Sequence, residues 1–168
     1  PSGKVRSVEQ RITGARRLLD EAKADDRHIS ERLAAEPAVW LETVHLDRRH
    51  AHAPVAFAWS DPLLLIFSMA NTVKLRNIGH NPSVSLSLNA AYGGNDVVIA
   101  DGRASCLAAT APEVVSLTPT FKRKYAALLA ETTFDEWRST FSQPVIVTVT
   151  RIVAWTIDQS GAPHQVVL

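Results

Sequence analysis

Four polar residues between positions 68 and 77 have the types and the spacing of a site that binds an anion. Ser68 ends an apolar run, and Thr72 stands where a helix is predicted to begin. Lys74 and Asn77 are three residues apart, on one face of that helix. The free N–H groups and the positive dipole end at a helix start favour an anion, and hydroxyls and a lysine add donors. The pattern fits a phosphate clamp, and it also fits an ordinary capped helix with an exposed lysine.

Other kinds of catalytic site lack their sequence signals. The chain contains no glycine-rich phosphate loop of the form GxxxxGK[ST], so nucleoside triphosphate chemistry is not supported. Ser68 has no GxSxG context and no recognisable partner aspartate, so a hydrolase triad is not supported. Cys106 is the one cysteine and lies in an apolar segment, where we expect a buried, unreactive thiol. The sequence identifies no catalytic acid or base.

Three histidines lie near a predicted hairpin. His50 and His52 are two residues apart, which places both on one face of a strand, and His45 precedes the turn. Such a pair suits a metal ion or a haem, but no third ligand follows at a fixed spacing. Solvated hairpin histidines are the favoured interpretation, and the sequence predicts no metal site.

Six segments of the chain have the composition of β-strands. Residues 83–88 alternate serine with valine or leucine, and residues 63–68 are almost wholly apolar, as in a strand buried on both faces. One short helix separates the third segment from the fourth, and this order predicts an antiparallel barrel of six strands with a bulge at Asp101-Gly102. The predicted strands are 38–46, 51–59, 63–68, 83–90, 96–107 and 144–157.

Helical spacing flanks these strands, so the predicted class is mainly β with flanking helices (α+β). A helix is expected at 7–24, then a break within AKADDRH, then a short helix from Ile29 to Ala35. Two further helical pieces are expected within 112–140, around Thr132–Thr133. The predicted organisation is an N-terminal helical extension (1–29), a barrel domain (30–158) and a C-terminal tail (159–168).

Composition and charge exclude several classes of protein. The 168 residues are 46% hydrophobic and 21% charged, which excludes a disordered or collagen-like chain. The net charge of +1 lacks the basic excess of a general nucleic-acid binder. No apolar run is long enough to span a membrane, and the first residues lack the apolar core of a signal peptide. We therefore expect a cytoplasmic protein with no nucleic-acid or membrane partner.

The segment FSMANTVKLRNIGHNPSVSLSL, residues 67–88, carries a longer pattern. It resembles the flavin- and deazaflavin-binding split β-barrel oxidoreductases related to pyridoxamine 5'-phosphate oxidase, whose pattern runs roughly S-x-x-x-x-x-K-x-R-N-I-x-x-N-P-x-V-S-L. The branch that it resembles most is the actinobacterial set of factor-420-dependent enzymes. The resemblance continues through AEPAVWLETV, DVVIADGRA and PVIVTVTRIVAW and covers about residues 30–156.

The resemblance implies a homodimer with the cofactor bound in clefts at the subunit interface, which makes 30–158 the cofactor-binding domain. The residues carried over to the phosphate end are Phe67, Ser68, Thr72, Val73 and Lys74, with Asn77 behind them. The preceding segment, Val55, Ala56 and Phe57, would run along the ring system, with its main-chain N–H and C=O groups bonding the polar edge of a flavin. Trp155 is the remaining candidate as a neighbour of the ring.

Three departures from the family pattern bear on the substrate and the loop. Residues 69–71, Met-Ala-Asn, stand where the family often has proline and glycine. Phe67 replaces the tyrosine of the true oxidases and cannot donate a hydrogen bond. The arginine- and histidine-bearing C-terminal signature is missing from RIVAWTIDQSGAPHQVVL, which argues against pyridoxine phosphate as substrate.

The resemblance implies an oxidoreductase that transfers hydride between a deazaflavin, coenzyme F420, and a small unsaturated or carbonyl-conjugated molecule. A cofactor of this kind carries the hydride chemistry itself, and the protein supplies placement and electrostatics. The acidic tail of the deazaflavin would need cations, for which Lys74, Arg76, Arg48 and Arg49 are candidates. One alternative is an FMN-dependent oxidoreductase of the same fold. The other is a non-catalytic protein that binds a flavin, haem or tetrapyrrole.

Overall fold

Eight strands form one antiparallel sheet in the part of the chain that the computed structural model describes, residues 16–157 and 163–168. The strands are β1 (Val39–Val44), β2 (His50–Val55), β3 (Phe57–Ser60), β4 (Leu63–Ser68), β5 (Ser83–Ser87), β6 (Asp96–Cys106), β7 (Gln143–Ile157) and β8 (Pro163–Val167). The same ranges contain four α-helices: α1 (Ala24–Ala35), α2 (Val73–His80), α3 (Pro112–Lys124) and α4 (Phe134–Thr140). The predicted class, mainly β with flanking helices, is confirmed.

The order of the strands closes the sheet on itself. Seven strands follow the order β2-β1-β5-β6-β7-β4-β3, and β8 pairs with β7. β2 and β3 are therefore the two ends of this order, yet a single residue, Ala56, joins them along the chain. The sheet must curl until its two ends meet at Val55, Ala56 and Phe57. We call these three residues the seam.

The prediction of six strands is wrong at two places. The segment predicted as one strand over 51–59 is two strands. β2 pairs with β1, whereas β3, after the seam, pairs with β4. β8 lies in the segment predicted as a polar tail, where Val167 is the partner of Val153 in β7. The 15 residues of β7 are long enough to pair with β4 near one end and with β8 near the other.

Two apolar clusters lie on the two sides of β4, and all six residues of this strand are buried, as its composition predicts. Leu64 and Ile66 belong to the cluster inside the curled sheet. Leu65 and Phe67 point to the other side and pack with Phe121 of α3. Burial of each such side chain stabilises the fold by roughly 1.5–3 kcal/mol, so β4 is anchored on both faces up to its last residue.

The N-terminal helix predicted at 7–24 is wrong over residues 16–23, which form turns and irregular backbone; residues 7–15 lie outside the described ranges. The amides of Leu18 and Leu19 bond to the carboxylate of Asp61, at 2.9–3.1 Å, and not to a preceding helical turn. The predicted break in AKADDRH is also wrong. This segment contains the first residues of α1, which begins at Ala24; Asp26 in its first turn is buried and accepts the Asp20 N–H at 2.8 Å.

Several local predictions are confirmed. The register of β6 against β7 shifts between Asp101 and Gly102, where the bulge was expected. The helical pieces within 112–140 are α3 and α4, and the Thr133 side chain caps α4 through a reciprocal bond with Glu136. The expectation for Cys106 is wrong, because this residue is exposed at the end of β6. None of the described helices combines the length and the apolar character that crossing a bilayer requires.

Candidate functional site

The corner between β4 and α2 brings the predicted anion-binding residues together. β4 ends at Ser68 and α2 begins at Val73, so four residues make the turn. Asn71 has a left-handed backbone (φ 60°), and Arg76 Nη1 donates to its carbonyl oxygen at 3.0 Å. Ser68 Oγ lies 3.3 Å from Thr72 Oγ1, although only 2% of Ser68 is exposed. The two hydroxyls therefore meet where the strand passes into the helix.

The positive dipole end of α2 is not balanced by an acidic residue of its first turn. Thr72 occupies the N-cap position with an extended backbone, but its side chain caps no amide. The first turn of α2 contains no acidic residue. Because the first N–H groups of a helix have no partner within the helix, this end favours an anion.

Lys74 is the cation of this corner. Its side chain is half-buried and forms no hydrogen bond or ion pair with any residue in the described ranges. Burial lowers the pKa of Lys74 from its ordinary value. An ammonium group that is partly removed from water and lacks a counter-ion gains from a bound anion more than a solvated one does.

Asn77 fixes α2 against the sheet. It is buried, and its Nδ2 donates to Thr43 Oγ1 of β1 at 3.0 Å. Thr43 is itself buried, so the pair satisfies two polar groups in the core. Asn77 thus lies behind the corner and holds the helix that carries Lys74.

Phe67 and Val73 take different positions at the corner. The Phe67 ring packs edge-on against Phe121, with 4.9 Å between ring centroids, and the guanidinium carbon of Arg138 lies 4.4 Å from the centroid of Phe67. This side chain is enclosed below α3 and α4, so only the main chain of Phe67 faces the corner. Val73 is exposed, as is Met69 in the turn before it.

The seam contains a contact that the sequence does not reveal. The Phe57 N–H donates to the hydroxyl oxygen of Tyr125 at 2.8 Å, and that hydroxyl lies 3.1 Å from the Phe57 carbonyl oxygen and 2.7 Å from that of Pro37. Lys124 Nζ lies 3.6 Å from the centroid of the Phe57 ring. The main-chain groups of Phe57, predicted to bond a flavin edge, already have a partner within the chain.

Trp155 is at the far end of β7 from the corner. Gln143, the first residue of β7, is the register partner of Ser68, and Trp155 follows twelve residues later. At a rise of about 3.3 Å per residue, the separation along the strand is roughly 40 Å. One chain therefore does not bring Trp155 to the corner.

The hairpin histidines share one carboxylate. His50 Nδ1 contacts Glu42 Oε1, and His52 Nδ1 lies 4.0 Å from Glu42 Oε2. The side chains of His50 and His52 are both more than half exposed. His45 lies in the turn, where its backbone N–H donates to the Arg49 carbonyl oxygen. Within the described ranges, no group of three or more His, Cys, Asp or Glu residues is placed to hold a metal ion.

The curled antiparallel sheet with its seam and its strand-to-helix corner is the architecture of a split β-barrel. Comparison with solved structures supports this class. A candidate pyridoxamine 5'-phosphate oxidase from Listeria innocua matches with a TM-score of 0.60 and 16% identity, over 76% of this chain and 95% of that chain. An FAD-binding protein from Mesorhizobium loti matches with a TM-score of 0.56 and 21% identity, over 76% of this chain and 90% of that chain.

Haem proteins are also among the similar structures. The haem-storage protein HutZ of Vibrio cholerae matches with a TM-score of 0.60 and 14% identity, over 74% of this chain and 89% of that chain. No protein-family model matches the sequence, and no curated protein matches it significantly. At these identities the likeness shows the fold, and the chain has the split β-barrel fold of pyridoxamine 5'-phosphate oxidase-like proteins.

Proposed function

We propose that this chain is an oxidoreductase that transfers hydride between coenzyme F420 and a small unsaturated or carbonyl-conjugated molecule. The observation that carries the proposal is Lys74, a half-buried cation without a counter-ion in the described ranges, on the first turn of α2. Together with the Ser68 and Thr72 hydroxyls it offers the donors that a phosphate group requires. The cofactor would supply the hydride chemistry when bound, and the chain would hold its phosphate end and orient its ring.

The same proposal includes a homodimer with the cofactor between the two copies. Phe67 contributes only its main chain to the corner, and Phe57 is engaged by Tyr125, so one chain offers few contacts to a ring. Trp155 lies at the other end of β7, and it becomes a neighbour of the ring only if a second copy supplies it. The exposed apolar side chains of Met69 (51%) and Val73 (41%) lie beside the corner, where such a copy would cover them.

F420 and FMN share a ring, a sugar-like chain and a phosphate, and the acidic tail distinguishes F420. Among the four cations proposed for this tail, Arg49 is paired with Asp47 at 2.8 Å, and Arg76 donates to the Asn71 carbonyl oxygen. Lys74 and Arg48 form no side-chain hydrogen bond or ion pair with another described residue. Lys74 is therefore the cation best able to serve both the phosphate and the tail.

Anaerobic titration with F420, its reduced form and FMN tests the proposal. We expect saturable binding of F420, followed by oxidation of the reduced form when an unsaturated or carbonyl-conjugated acceptor is added. Tighter binding of FMN, in a protein that is yellow as purified, would select the FMN-dependent alternative. If neither cofactor binds at high micromolar concentration, the oxidoreductase proposal is wrong.

A haem- or tetrapyrrole-binding protein is the second candidate, and the pair of exposed histidines on β2 is the observation that favours it. Titration with haemin would then give a sharp Soret band that disappears in a variant carrying both His50→Ala and His52→Ala. The Lys74→Ala variant is the matched control, and it would leave that band unchanged. Haemin spectra that are equal in all three proteins would remove this candidate.

A further inference from the structure

The outer face of the sheet along β1, β5, β6 and the second half of β7 has no helix packed on it in the described ranges. α1 and α2 place their buried apolar side chains in the cluster inside the curled sheet, and α3 and α4 pack beside β4. Because successive residues of a strand point to opposite faces, the register identifies the side chains on the outer face. One row of register partners on this face consists of Trp40, Ser87, Ile99 and Val153.

This row is mainly apolar and extends onto β8. Trp40 is 42% exposed, and Val167, the partner of Val153, is 56% exposed. Ile99 and Val153 are half-buried. Trp155 lies on the same face, two residues after Val153 on β7. Continuous apolar surface of this kind marks a site of protein–protein contact.

A groove crosses the same face at the bulge. It has a volume of about 470 Å³ and is lined mainly by Glu42, Asn81, Ser85, Asp101, Arg103 and Thr150. The side chain of Arg103 is exposed and forms no hydrogen bond or ion pair with another described residue. The groove therefore contains two carboxylates and a cation that has no counter-ion within the described ranges.

The charges at the groove match those of a second, reversed copy. Asp101 pairs with Arg151 at 3.1 Å, but 43% of its side chain is exposed, so it can accept a further cation. Arg103 follows Asp101 by two residues on β6, with Gly102 between them. A two-fold axis through Gly102 reverses β6 and places Asp101 of each copy opposite Arg103 of the other. With Glu42, the face carries two carboxylates and two guanidinium groups, so two copies attract rather than repel each other.

We propose that this face binds a second copy of the chain across a two-fold axis at Gly102. The choice of a second copy rests on the proposed function, because the cofactor site is incomplete until another copy supplies Trp155. The axis passes near the middle of β7, because Val149 is the register partner of Gly102. Reversal of β7 about this axis directs the Trp155 end of one copy towards the Ser68 end of the other. The axis that pairs the charges is thus the axis that the proposed cofactor site requires.

A cysteine beside the axis tests the arrangement. Thr150 is exposed and lies next to Val149 at the bulge, so Thr150 of one copy would lie close to Thr150 of the other. The variant is Thr150→Cys with Cys106→Ser, which removes the native thiol, and the reagent is a short bis-maleimide. We expect a covalent dimer. Val115→Cys in the same background is the control, because Val115 is exposed on α3 and should give no covalent dimer. No cross-link at Thr150→Cys, or equal yields from both variants, would overturn the proposal.

Analytical ultracentrifugation measures the association itself. We expect the wild type to be a dimer at micromolar concentration. Arg103→Glu places like charges opposite each other and should raise the dissociation constant of the dimer by at least about tenfold, as should Ile99→Asp in the apolar row. Arg123→Glu, an exposed change on α3, should leave it unchanged. If Ile99→Asp does not fold, Arg103→Glu decides, since Arg103 has no described partner to lose. A monomeric wild type, or an unchanged dimer in Arg103→Glu, would contradict the proposal.

The interface and the proposed cofactor can fail separately. A dimer that passes both tests and binds neither F420 nor FMN keeps the interface and removes the oxidoreductase. A monomeric wild type that binds F420 keeps the cofactor and removes the interface. If both proposals hold, the monomeric Ile99→Asp variant should bind F420 at least about tenfold more weakly than the wild type, because each site loses the partner's contribution.

Discussion

The hydroxyl of Tyr125 joins both main-chain groups of Phe57 at the point where the sheet closes on itself. It accepts the Phe57 N–H at 2.8 Å and lies 3.1 Å from the Phe57 carbonyl oxygen. Tyr125 is the C-cap residue that follows the last residue of α3, so one phenol links the end of this helix to the seam. Burial raises the pKa of Tyr125, which keeps the phenol protonated as a donor.

Tyr125→Phe removes this hydroxyl and leaves the buried Phe57 N–H without an acceptor. We expect the free energy of unfolding to fall by about 1–3 kcal/mol, as for other unsatisfied buried donors. Urea unfolding followed by circular dichroism measures the change. Ser116→Ala is the control, because its exposed hydroxyl donates only within α3. An equally stable Tyr125→Phe variant would show that water replaces the phenol.

Lys74→Ala tests the corner directly. Loss of a charge-assisted contact with a phosphate should weaken cofactor binding by about 1.5–3 kcal/mol, roughly ten- to hundredfold. The free energy of unfolding should hardly change, since Lys74 has no partner among the described residues to lose. Lys23→Ala, which removes an exposed lysine before α1, should leave both properties unchanged. If Lys74→Ala unfolds the protein, the lysine is structural and the phosphate site is misassigned.

The lowered pKa of Lys124 should make the protein more stable as the pH rises above about 8. Burial lowers its pKa from 10.5 to about 8, partly offset by attraction to Glu36. Between these two values the unfolded chain binds more protons than the folded one, so this group makes the protein more stable as pH rises from about 8 towards 10.5. The same half-buried ammonium lies over the Phe57 ring and donates to the Leu33 carbonyl oxygen at 3.2 Å.

The measurement compares the wild type with Lys124→Met by urea unfolding at several pH values between 7.5 and 9.5. The difference between the two proteins isolates Lys124 from other groups that titrate in this range. We expect the wild type to gain stability relative to the variant as the pH increases. A difference that stays constant, or that changes in the opposite direction, would mean that the ammonium is solvated.

Substitution of two glycines by alanine should change the stability of the protein in opposite directions. A Cβ on Gly102 would lie 2.6 Å from the Thr148 carbonyl oxygen, so Gly102→Ala should destabilise the bulge by roughly 1–3 kcal/mol. A Cβ on Gly79, within α2, would meet nothing within 4 Å, so Gly79→Ala should stabilise the helix by about 0.5–1 kcal/mol. Thermal unfolding of the two variants decides both, and a stable Gly102→Ala protein would contradict the close packing of β6 against β7.

Local patterns in the sequence were sufficient to predict the corner. Ser68 ends a run whose apolar composition requires burial on both faces, and Thr72 begins a segment with helical spacing, so neighbours along the chain define both elements. The bulge before Gly102 was predictable for the same reason. Contacts between residues far apart in the sequence were not predictable. The Tyr125 hydroxyl bonds to Phe57, 68 residues away, and His28 bonds to Asp96 over the same separation.

The wrong predictions have the same origin. Residues 16–23 have helical periodicity, but the Asp61 carboxylate, about forty residues away, takes the Leu18 and Leu19 amides that a helix would use. The segment 51–59 looks like one strand, because nothing local reveals that its two halves pair with different partners. Tertiary hydrogen bonds override local preference in both cases.

The length of β7 has a consequence for a cofactor shared by two copies. Ser68 pairs with the first residue of this strand, and Trp155 lies twelve residues on, so each shared site would combine the lysine of one chain with the tryptophan of the other. A mixed dimer of a Lys74→Ala chain and a Trp155→Ala chain then holds one doubly defective site and one wholly wild-type site. Two inactive preparations, unfolded together and refolded, would regain activity by complementation between their subunits.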